Sequence, residues 1–311
     1  MRLAWSLAVL VAMSACAVDT GEEDVASDGE EIVSSRCAGT QGTTSITLKV
    51  MTINLRHDDD DPGRRFPLIA DEIVRLDPDV IGLQEIEIGT PFFGAHQADK
   101  LNDLIAKRGH AKYHLYQRHK PGVHGYLTGE GIGIMSRWTI AEEHHEDLPE
   151  SRTSLLARIK HPSGKEFDAI NTHLHSVGGA EGDAIRVEQS KQIIDLADRN
   201  DKCLPTVFTG DMNSTDTSQT YANYVAAEFV DSYKKIHGAD TPKIGNTNPV
   251  VLAEGAFEQH PKHRIDFIFG RSAGGKKVTP TSSEVVFKNH DAKGFYPSDH
   301  FGVITTFTVR L

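Results

Sequence analysis

Cysteine, positive charge and long apolar runs are all scarce in this sequence of 311 residues. Its three cysteines allow at most one disulfide, and no apolar run is long enough to cross a bilayer comfortably. The net charge of -11 argues against a protein that grips nucleic acid through an overall basic surface. His144 and His145 lack the neighbouring ligand spacing of a zinc motif and are expected at the surface. These absences leave a globular composition, with 38% hydrophobic and 25% charged residues.

The N-terminus has the features of an export signal, because Arg2 precedes an apolar run of roughly a dozen residues. The run ends in MSAC, which resembles a bacterial lipobox and predicts lipidation of Cys16, with residues 1–16 as the signal peptide. Met13 stands where lipoboxes usually carry leucine. Ala15, Cys16 and Ala17 also fit ordinary signal peptidase, so free secretion is the alternative. We expect an exported protein, either anchored to a membrane through lipid at the cell envelope or secreted.

An acidic segment follows the signal. Residues 17–36 carry seven carboxylates against one arginine and few large apolar groups, so a disordered tether is expected over 17–42. One folded domain is expected over 43–311, without internal repeats or linkers. If Cys16 is lipidated or removed, Cys37 and Cys203 can either pair in an oxidising compartment or remain as two separate thiols.

Strand and helix patterns alternate from residue 43 onward. A strand at 46–55, a helix at 66–76 and a buried strand at 78–86 predict a β-α-β opening. Further strands are predicted at 112–118, 131–137, 154–161, 166–175, 205–211, 264–270, 283–288 and 302–309, with a helix at 184–199. So many strands with few helices between them indicate an α/β fold in which two packed mixed sheets are covered by helices on the outside.

Polar side chains stand at the ends of these strands: Asn54, Glu85, His173, Asp211, Asn213, Asp266, Asp299 and His300. If the sheets bring these ends to one edge, they form a single cleft rich in carboxylates, amides and imidazoles. Taken singly, most of these residues also fit ordinary turns. Asp266 differs, because it lies between Ile265 and Phe267 in an apolar strand. An unpaired carboxylate there would be costly, so we expect a partner such as histidine.

Six short motifs occur in order: TINLR, LQE, NTHL, GDMN, RIDFIF and SDHF. In this order and spacing they resemble the endonuclease/exonuclease/phosphatase superfamily, which includes deoxyribonuclease I, abasic-site endonucleases, neutral sphingomyelinases and inositol polyphosphate 5-phosphatases. The resemblance covers residues 45–311 and suggests a bacterial exported member. It implies a four-layered α/β sandwich and hydrolysis of a phosphate ester that depends on a divalent metal, by in-line attack of an activated water.

The resemblance implies a metal site. Glu85 resembles the family's main Mg²⁺ ligand, with Asn54 beside it and Asp299 nearby. These residue types suit the ion independently, because Mg²⁺ prefers oxygen ligands and takes only one or two protein carboxylates. Mn²⁺ is expected to substitute for it.

The resemblance also implies roles for five residues in the reaction. Asp211 would orient or deprotonate the attacking water, with Asn213 as its positioning partner. Asp266 would orient His300, and His173 would bond a non-bridging phosphate oxygen or assist the leaving group. Phosphoryl displacement needs neutralised charge and an aligned nucleophile, which a metal and these side chains can supply together.

Three further features leave alternatives open. Glu130 could be the acidic partner of His173, although a turn residue is the favoured interpretation. The acidic run 57–61 could bind a second cation, although a solvated loop is favoured. Arg56 stands where abasic-site endonucleases carry aspartate, which argues against a specialised role in DNA repair and matches members like deoxyribonuclease I.

Several substrates fit the expected chemistry. A phosphodiesterase acting on scavenged nucleic acid is one, although the overall charge shows no basic groove. A sphingomyelinase-like enzyme acting on phospholipid headgroups would need an apolar hairpin, for which Phe92 and Phe93 are the candidates. An inositol-phosphate phosphatase is a further alternative. A surface lipoprotein that only binds is remote, because every catalytic position of the family pattern is filled. We expect a monomer, and no protein partner is indicated.

Overall fold

The computed structural model describes residues 42–57, 59–89, 96–122, 128–200 and 203–311. The lipidation site at Cys16, the acidic tether, Cys37 and the pair Phe92 and Phe93 lie outside the described residues. Cys203 is disulfide-bonded, which excludes a free thiol at that position. Within the described part of the chain, no helix is both long and apolar enough to cross a membrane.

The first sheet contains six strands: β1 (Ser45–Asn54), β2 (Val80–Gly89), β3 (His114–His119), β4 (Thr128–Ser136), β11 (Val278–Val286) and β12 (Gly302–Arg310). Their order across the sheet is β11-β12-β1-β2-β4-β3. The central pair β1 and β2 is parallel, whereas β1 and β12 are antiparallel. The last strand therefore returns to lie beside the first.

The second sheet also contains six strands: β5 (Ile140–Leu148), β6 (Arg152–Lys160), β7 (Glu166–His173), β8 (Thr206–Asp211), β9 (Val230–Asp231) and β10 (Asp266–Arg271). Their order is β5-β6-β7-β8-β10-β9. Strands β7 and β8 are parallel, and β10 runs antiparallel to β8. Both sheets are mixed, as expected from the sequence.

Helices α1 (Pro62–Leu76), α2 (Gln97–Lys107), α3 (Gly179–Asn200) and α4 (Gln219–Ala226) cover the outer faces of the two sheets. The short helices α5 (Ser232–His237) and α6 (Thr241–Ile244) follow β9, and Tyr233 of α5 packs in the core between the sheets. One apolar core lies between the sheets. A second core packs α1 and α2 on the first sheet, and a third packs α3 and α4 on the second. The fold is an α/β sandwich of four layers, which confirms the expected architecture.

A seam of small and polar groups joins the two sheets below the edge where β1 and β2 end. A Cβ atom on Gly82 of β2 would lie 2.0 Å from Oγ1 of Thr209 on β8, so only glycine permits this close approach. Gln84 donates from Nε2 to Oδ1 of Asn171 on β7 at 2.6 Å, and to Oγ1 of Thr52 at 3.0 Å. Because these groups are buried and paired with one another, the seam fixes the register between the sheets.

Arg65 of α1 anchors two loops that are far apart in the sequence. Its guanidinium is fully buried and donates hydrogen bonds to the backbone carbonyls of Leu55, Arg56, His57, Asp59, Asp60 and Pro297. The side chains of Asp59 and Asp60 are exposed, as favoured for the acidic run. Arg65 holds the backbone of the run at His57, Asp59 and Asp60, while the side chains of Asp59 and Asp60 face solvent.

Two long elements differ from the sequence expectation. Strand β5 was not predicted, because IAEEHHEDL has no apolar alternation and lies mostly exposed at the edge of its sheet. Helix α2 was also not predicted, although Ala98, Leu101 and Ile105 recur at helical spacing and are buried. Helix α3 begins five residues before the predicted residue 184, and β11 begins five residues before the predicted 283.

Arg65→Gln should lower the free energy of unfolding by about 3 kcal/mol, because several buried carbonyls lose their donor. Urea denaturation followed by circular dichroism measures the change. Arg75→Gln is the matched control on the same helix, since the Arg75 side chain is 63% exposed and pairs with Glu72. The control should cost less than about 1 kcal/mol. Equal losses in the two variants would contradict the anchoring role.

Candidate active site

Strand ends from both sheets meet at one edge of the sandwich. The parallel pairs β1–β2 and β7–β8 place their carboxyl ends there, and β10 begins beside the end of β8. The contacts described below bring together the polar residues singled out in the sequence: Asn54, Glu85, His173, Asp211, Asn213, Asp266, Asp299 and His300. The single cleft expected from the sequence is therefore present as a connected set of side chains.

The Asn54 amide bridges carboxylates from the two sheets. Its Nδ2 donates to Oε1 of Glu85 at 3.1 Å and to Oδ2 of Asp211 at 3.2 Å. Its Oδ1 accepts a hydrogen bond from the backbone N–H of Arg56. The side chain thus holds Glu85 and Asp211 next to each other, while its oxygen is already paired.

Glu85 is aimed into the cleft by an irregularity in β2. The pairing of β2 with β4 shifts register between Leu83 and Ile86, and Glu85 itself has a φ of 50°. Such bulges redirect a side chain, and positive φ at a non-glycine residue stores strain that recurs at functional sites. Burial works to raise the pKa of Glu85, but the hydrogen bond from Asn54 and the groups around it lower it overall, so the carboxylate is ionised at neutral pH.

His173 faces three carboxylates. Its Nε2 lies 3.9 Å from Oε1 of Glu85 and 3.7 Å from Oδ2 of Asp211, and its Nδ1 lies 3.3 Å from Oε1 of Glu130. The ring is 3% exposed. Burial, together with neighbouring cations, lowers the pKa of His173 to about 3, so the ring is neutral and can donate one hydrogen bond.

Glu130 lies in β4 rather than in a turn, so the favoured interpretation of Glu130 is wrong. The flanking glycines that suggest a turn serve strand packing, since a Cβ on Gly131 would lie 2.3 Å from the carbonyl oxygen of Arg118. Besides His173, the Glu130 carboxylate contacts Nζ of Lys120 and lies 3.0 Å from Nε2 of His57. It is the acidic partner of His173 left open by the sequence.

Two buried cations on this side of the cleft were missed in the sequence. Lys120 and Arg152 lie beside Glu130, with Nη1 of Arg152 4.0 Å from its carboxylate. That Nη1 atom is buried and has no hydrogen-bond partner among the described residues. Burial lowers the pKa of both Lys120 and Arg152. No local pattern marks either residue, because each lies in an ordinary polar stretch and is buried only by tertiary packing.

Asp211 and Asn213 form a second rigid unit. The backbone N–H of Asn213 donates to Oδ1 of Asp211 at 3.0 Å, and Nδ2 of Asn213 donates to the carbonyl of Leu174 at 3.0 Å. Asn213 has a φ of 46°, which turns the chain back toward the cleft. Burial works to raise the pKa of Asp211, but the charge on His300 and the hydrogen bonds from Asn213 and Asn54 lower it, so this carboxylate is ionised.

Asp266 and His300 form the expected pair. Nδ1 of His300 lies 2.9 Å from Oδ2 of Asp266, which also accepts from Oγ1 of Thr247 at 2.5 Å. Nδ1 is 3.8 Å from Oδ2 of Asp211. Burial disfavours a charged ring, but the Asp266 and Asp211 carboxylates raise the pKa of His300 above its usual range. At neutral pH the pair holds an imidazolium beside a carboxylate.

Asp299 is paired with Arg56 at the mouth of the cleft. Its Oδ2 accepts from Nη1 of Arg56 at 2.9 Å, and its Oδ1 lies 3.4 Å from Oγ of Ser298. Burial raises the pKa of Asp299, while His300 and Arg56 oppose that shift. Arg56 therefore pairs with one oxygen of Asp299, and the Ser298 hydroxyl lies against the other.

The sequence model of the Endonuclease/Exonuclease/phosphatase family matches residues 51–300. The chain belongs to this family. The match spans every strand-end residue described above, so the resemblance carried by the six motifs is confirmed. Members of the family hydrolyse phosphate esters. The chain is therefore a phosphoesterase.

The chain is similar, at low sequence identity, to relatives known by sequence and to solved structures. Tyrosyl-DNA phosphodiesterase 2 of Mus musculus is 24% identical over 305 residues, covering 94% of this chain and 74% of that protein. Nocturnin of Drosophila melanogaster is 24% identical over 275 residues, covering 77% of this chain. The chain spans only 41% of the length of nocturnin. A mannosyl-6-phosphatase of Bacteroides thetaiotaomicron has a TM-score of 0.65 at 22% identity, over 84% of this chain and 99% of that chain.

The His300 and Asp266 pair should make stability depend on pH in a defined direction. The pKa of His300 is raised from 6.5 to about 10 in the folded protein. A raised pKa contributes stability that is fully present below the unfolded value and is lost as pH rises through the folded value. The difference in unfolding free energy between the wild type and His300→Gln should therefore be largest near pH 6 and shrink toward pH 10.

Chemical denaturation of both proteins at several pH values measures this difference, and groups that titrate equally in both cancel. A difference that grows between pH 7 and pH 10 would contradict the proposed charge state of the pair.

Proposed function

We propose that this protein is a Mg²⁺-dependent phosphoesterase that hydrolyses a phosphodiester by in-line attack of water. One observation carries the proposal: the amide of Asn54 holds the ionised carboxylates of Glu85 and Asp211 side by side. A neutral histidine, His173, and a positively charged one, His300, lie on either side of them. A cleft of this kind offers oxygen ligands, a position for water and hydrogen-bond donors for phosphate oxygens.

The donor set fits Mg²⁺. Glu85 supplies a half-buried, ionised carboxylate, Asp211 lies beside it across Asn54, and Asp299 has a second oxygen that Arg56 does not contact. Hard oxygen donors with one or two carboxylates are what Mg²⁺ takes, with water and substrate phosphate completing its shell. We assign Glu85 as the main ligand and Asp299 as a nearby one. Asn54 is a further ligand beside Glu85: its Nδ2 orients the carboxylates, and its Oδ1, which accepts one hydrogen bond from Arg56, has a second lone pair for the ion. The bound ion would neutralise charge and polarise the phosphoryl oxygen.

The remaining side chains have separate roles in the phosphoryl displacement. Asp211, fixed by Asn213, accepts a hydrogen bond from the attacking water and aligns it. His300 carries positive charge, which stabilises the charge that builds on the phosphoryl oxygens, and Asp266 holds it. His173 is neutral and donates a hydrogen bond to a non-bridging oxygen or to the leaving group.

The substrate class follows less directly from the cleft. Tyrosyl-DNA phosphodiesterase 2 is named as a phosphodiesterase, and a D. rerio TDP2 structure contains a single-strand DNA product. These names support a phosphodiester, with nucleic acid and phospholipid headgroups as the two candidates. Lys120 and Arg152 favour a second candidate function, the hydrolysis of a phosphomonoester. Two basic side chains beside His173 suit a phosphate that carries more negative charge than a phosphodiester does. The predicted export signal and lipid anchor would place the reaction outside the cytoplasm, at the cell envelope.

Activity should disappear when the metal is removed and return with Mg²⁺ or Mn²⁺, because the ligand set consists of oxygen atoms. Hydrolysis is measured after chelation and readdition, on a panel of DNA, RNA, sphingomyelin, inositol phosphates, a sugar phosphate and a generic phosphodiester. Glu85→Gln should lose at least about a hundredfold in turnover with Mg²⁺ present. Full activity in excess chelator would refute the metal dependence, and hydrolysis of monoesters alone would select the second candidate.

His300→Ala should lose on the order of a hundredfold in turnover, since it removes the cation that faces the phosphoryl group. Asp266→Asn should also lose turnover, because it weakens the charge and orientation of the same ring. The double variant should lose much less than the sum of the two free-energy penalties. His144→Ala is the control and should be unchanged, because the side chain of His144 pairs with Glu142 at the surface, in an edge strand away from the cleft. Additive penalties would show that Asp266 acts independently of His300.

A further inference from the structure

His300 has a second side-chain neighbour, which lies outside the six motifs. The amide nitrogen of Asn248 is 2.9 Å from Nε2 of His300, while Asp266 contacts Nδ1. The His300 residue is only 6% exposed. Both ring nitrogens are therefore held by side chains of this protein.

The loop that carries Asn248 is fixed on two sides. The backbone N–H of Asn248 donates to the carbonyl of His263 at 3.0 Å, and its carbonyl accepts from the N–H of His263 at 2.8 Å. Two residues later, the N–H of Val250 donates to the carbonyl of Asp299 at 2.7 Å. The Asn248 amide is thus tied to the segment that contains His300 and to the start of β10, rather than carried on a free loop.

A second contact changes what the ring can do. One hydrogen bond at Nδ1 holds a single point of the imidazole, and a second at Nε2 also fixes its tilt. A buried N–H or nitrogen lone pair without a partner costs free energy. An amide offers an acceptor oxygen and donor hydrogens, and the orientation of its O and N is set by the hydrogen bonds around it. Asn248 can therefore satisfy Nε2 whether or not that nitrogen carries a proton.

We propose that Asn248 is a positioning residue for His300: its amide at Nε2 and the Asp266 carboxylate at Nδ1 together fix the ring in the orientation in which its positive charge faces the phosphoryl group. The inference rests on the proposed function, in which His300 acts on that group. Direct contact between Asn248 and the substrate is the competing role, and it predicts a different kinetic signature. A positioning residue acts on turnover through His300, whereas a substrate contact acts mainly on KM.

Asn248→Ala should lower kcat about tenfold, the order expected for one hydrogen bond, and leave KM within about twofold. In the His300→Ala background the same substitution should cause no further loss. Asn248→Asp keeps the size and an acceptor oxygen, so it should retain most of kcat. A rise in KM at unchanged kcat, or an equal loss in both backgrounds, would overturn the proposal.

Asn246→Ala is the matched control. Asn246 lies two residues away in the same loop, its side chain donates to the carbonyl of Pro261 at 3.1 Å, and it has no described contact with His300. This variant should keep both kcat and KM. If Asn248→Ala does not fold, as judged by thermal unfolding, Asn248→Asp and Asn246→Ala still decide the question, because an Asn248→Asp protein that folds but loses kcat as fully as His300→Ala would contradict the positioning role.

The ring nitrogens give a readout that does not need activity. Histidine side-chain ¹⁵N resonances of the full chain are recorded, and His300 is assigned as the signal lost in His300→Ala. Its Nε2 resonance should shift in Asn248→Ala and stay in place in Asn246→Ala. An unchanged Nε2 resonance would refute the inference. If the wild type hydrolyses no phosphate ester, the proposed function fails, while this spectrum still decides whether Asn248 holds the ring.

Discussion

The buried guanidinium of Arg65 joins the beginning and the end of this domain. It binds carbonyls from the loop after β1 and from Pro297, just before the last strand. Asn54 immediately precedes the first segment, and Asp299 and His300 follow the second. Because carbonyl dipoles surround the charge on several sides, the cation can remain in the interior without an ion pair to any carboxylate that the structure describes. Arg65 therefore sets how Asn54 lies relative to Asp299 and His300 on the side of the cleft that the first sheet supplies.

The main features of the cleft could be predicted from local sequence patterns. Strand patterns end at Asn54, Glu85 and Asp211, and the carboxyl ends of parallel strands must share an edge. The partner of Asp266 followed from the cost of an unpaired buried carboxylate, and His300 is that partner in the structure. The two-sheet architecture followed from the number of strands. These inferences depend on short-range periodicity and on solvation, both of which the sequence displays directly.

The residues that were missed depend on contacts between distant segments. Lys120 follows β3 and Arg152 begins β6, and each looks like a solvated cation in its own stretch. Their burial arises only when the first sheet packs on the second, which no local pattern reports. Glu130 was misread for a related reason, since its flanking glycines permit both a turn and close strand packing. The exposed edge strand β5 was not predicted, because charged residues at a sheet edge replace the apolar alternation from which strands are predicted.

The polar seam between the sheets also bears on how such a scaffold can diversify. Gly82, Gln84 and Asn171 meet without space for larger side chains, and the floor of the cleft rests directly on them. Substitutions at these residues change the spacing of the side chains in the cleft. A new substrate preference therefore cannot readily arise from a substitution in the seam. They are more accessible through the loop before β10, which carries Asn248 beside His300. Chemistry and selectivity are thereby divided between parts of the molecule that can change at different rates.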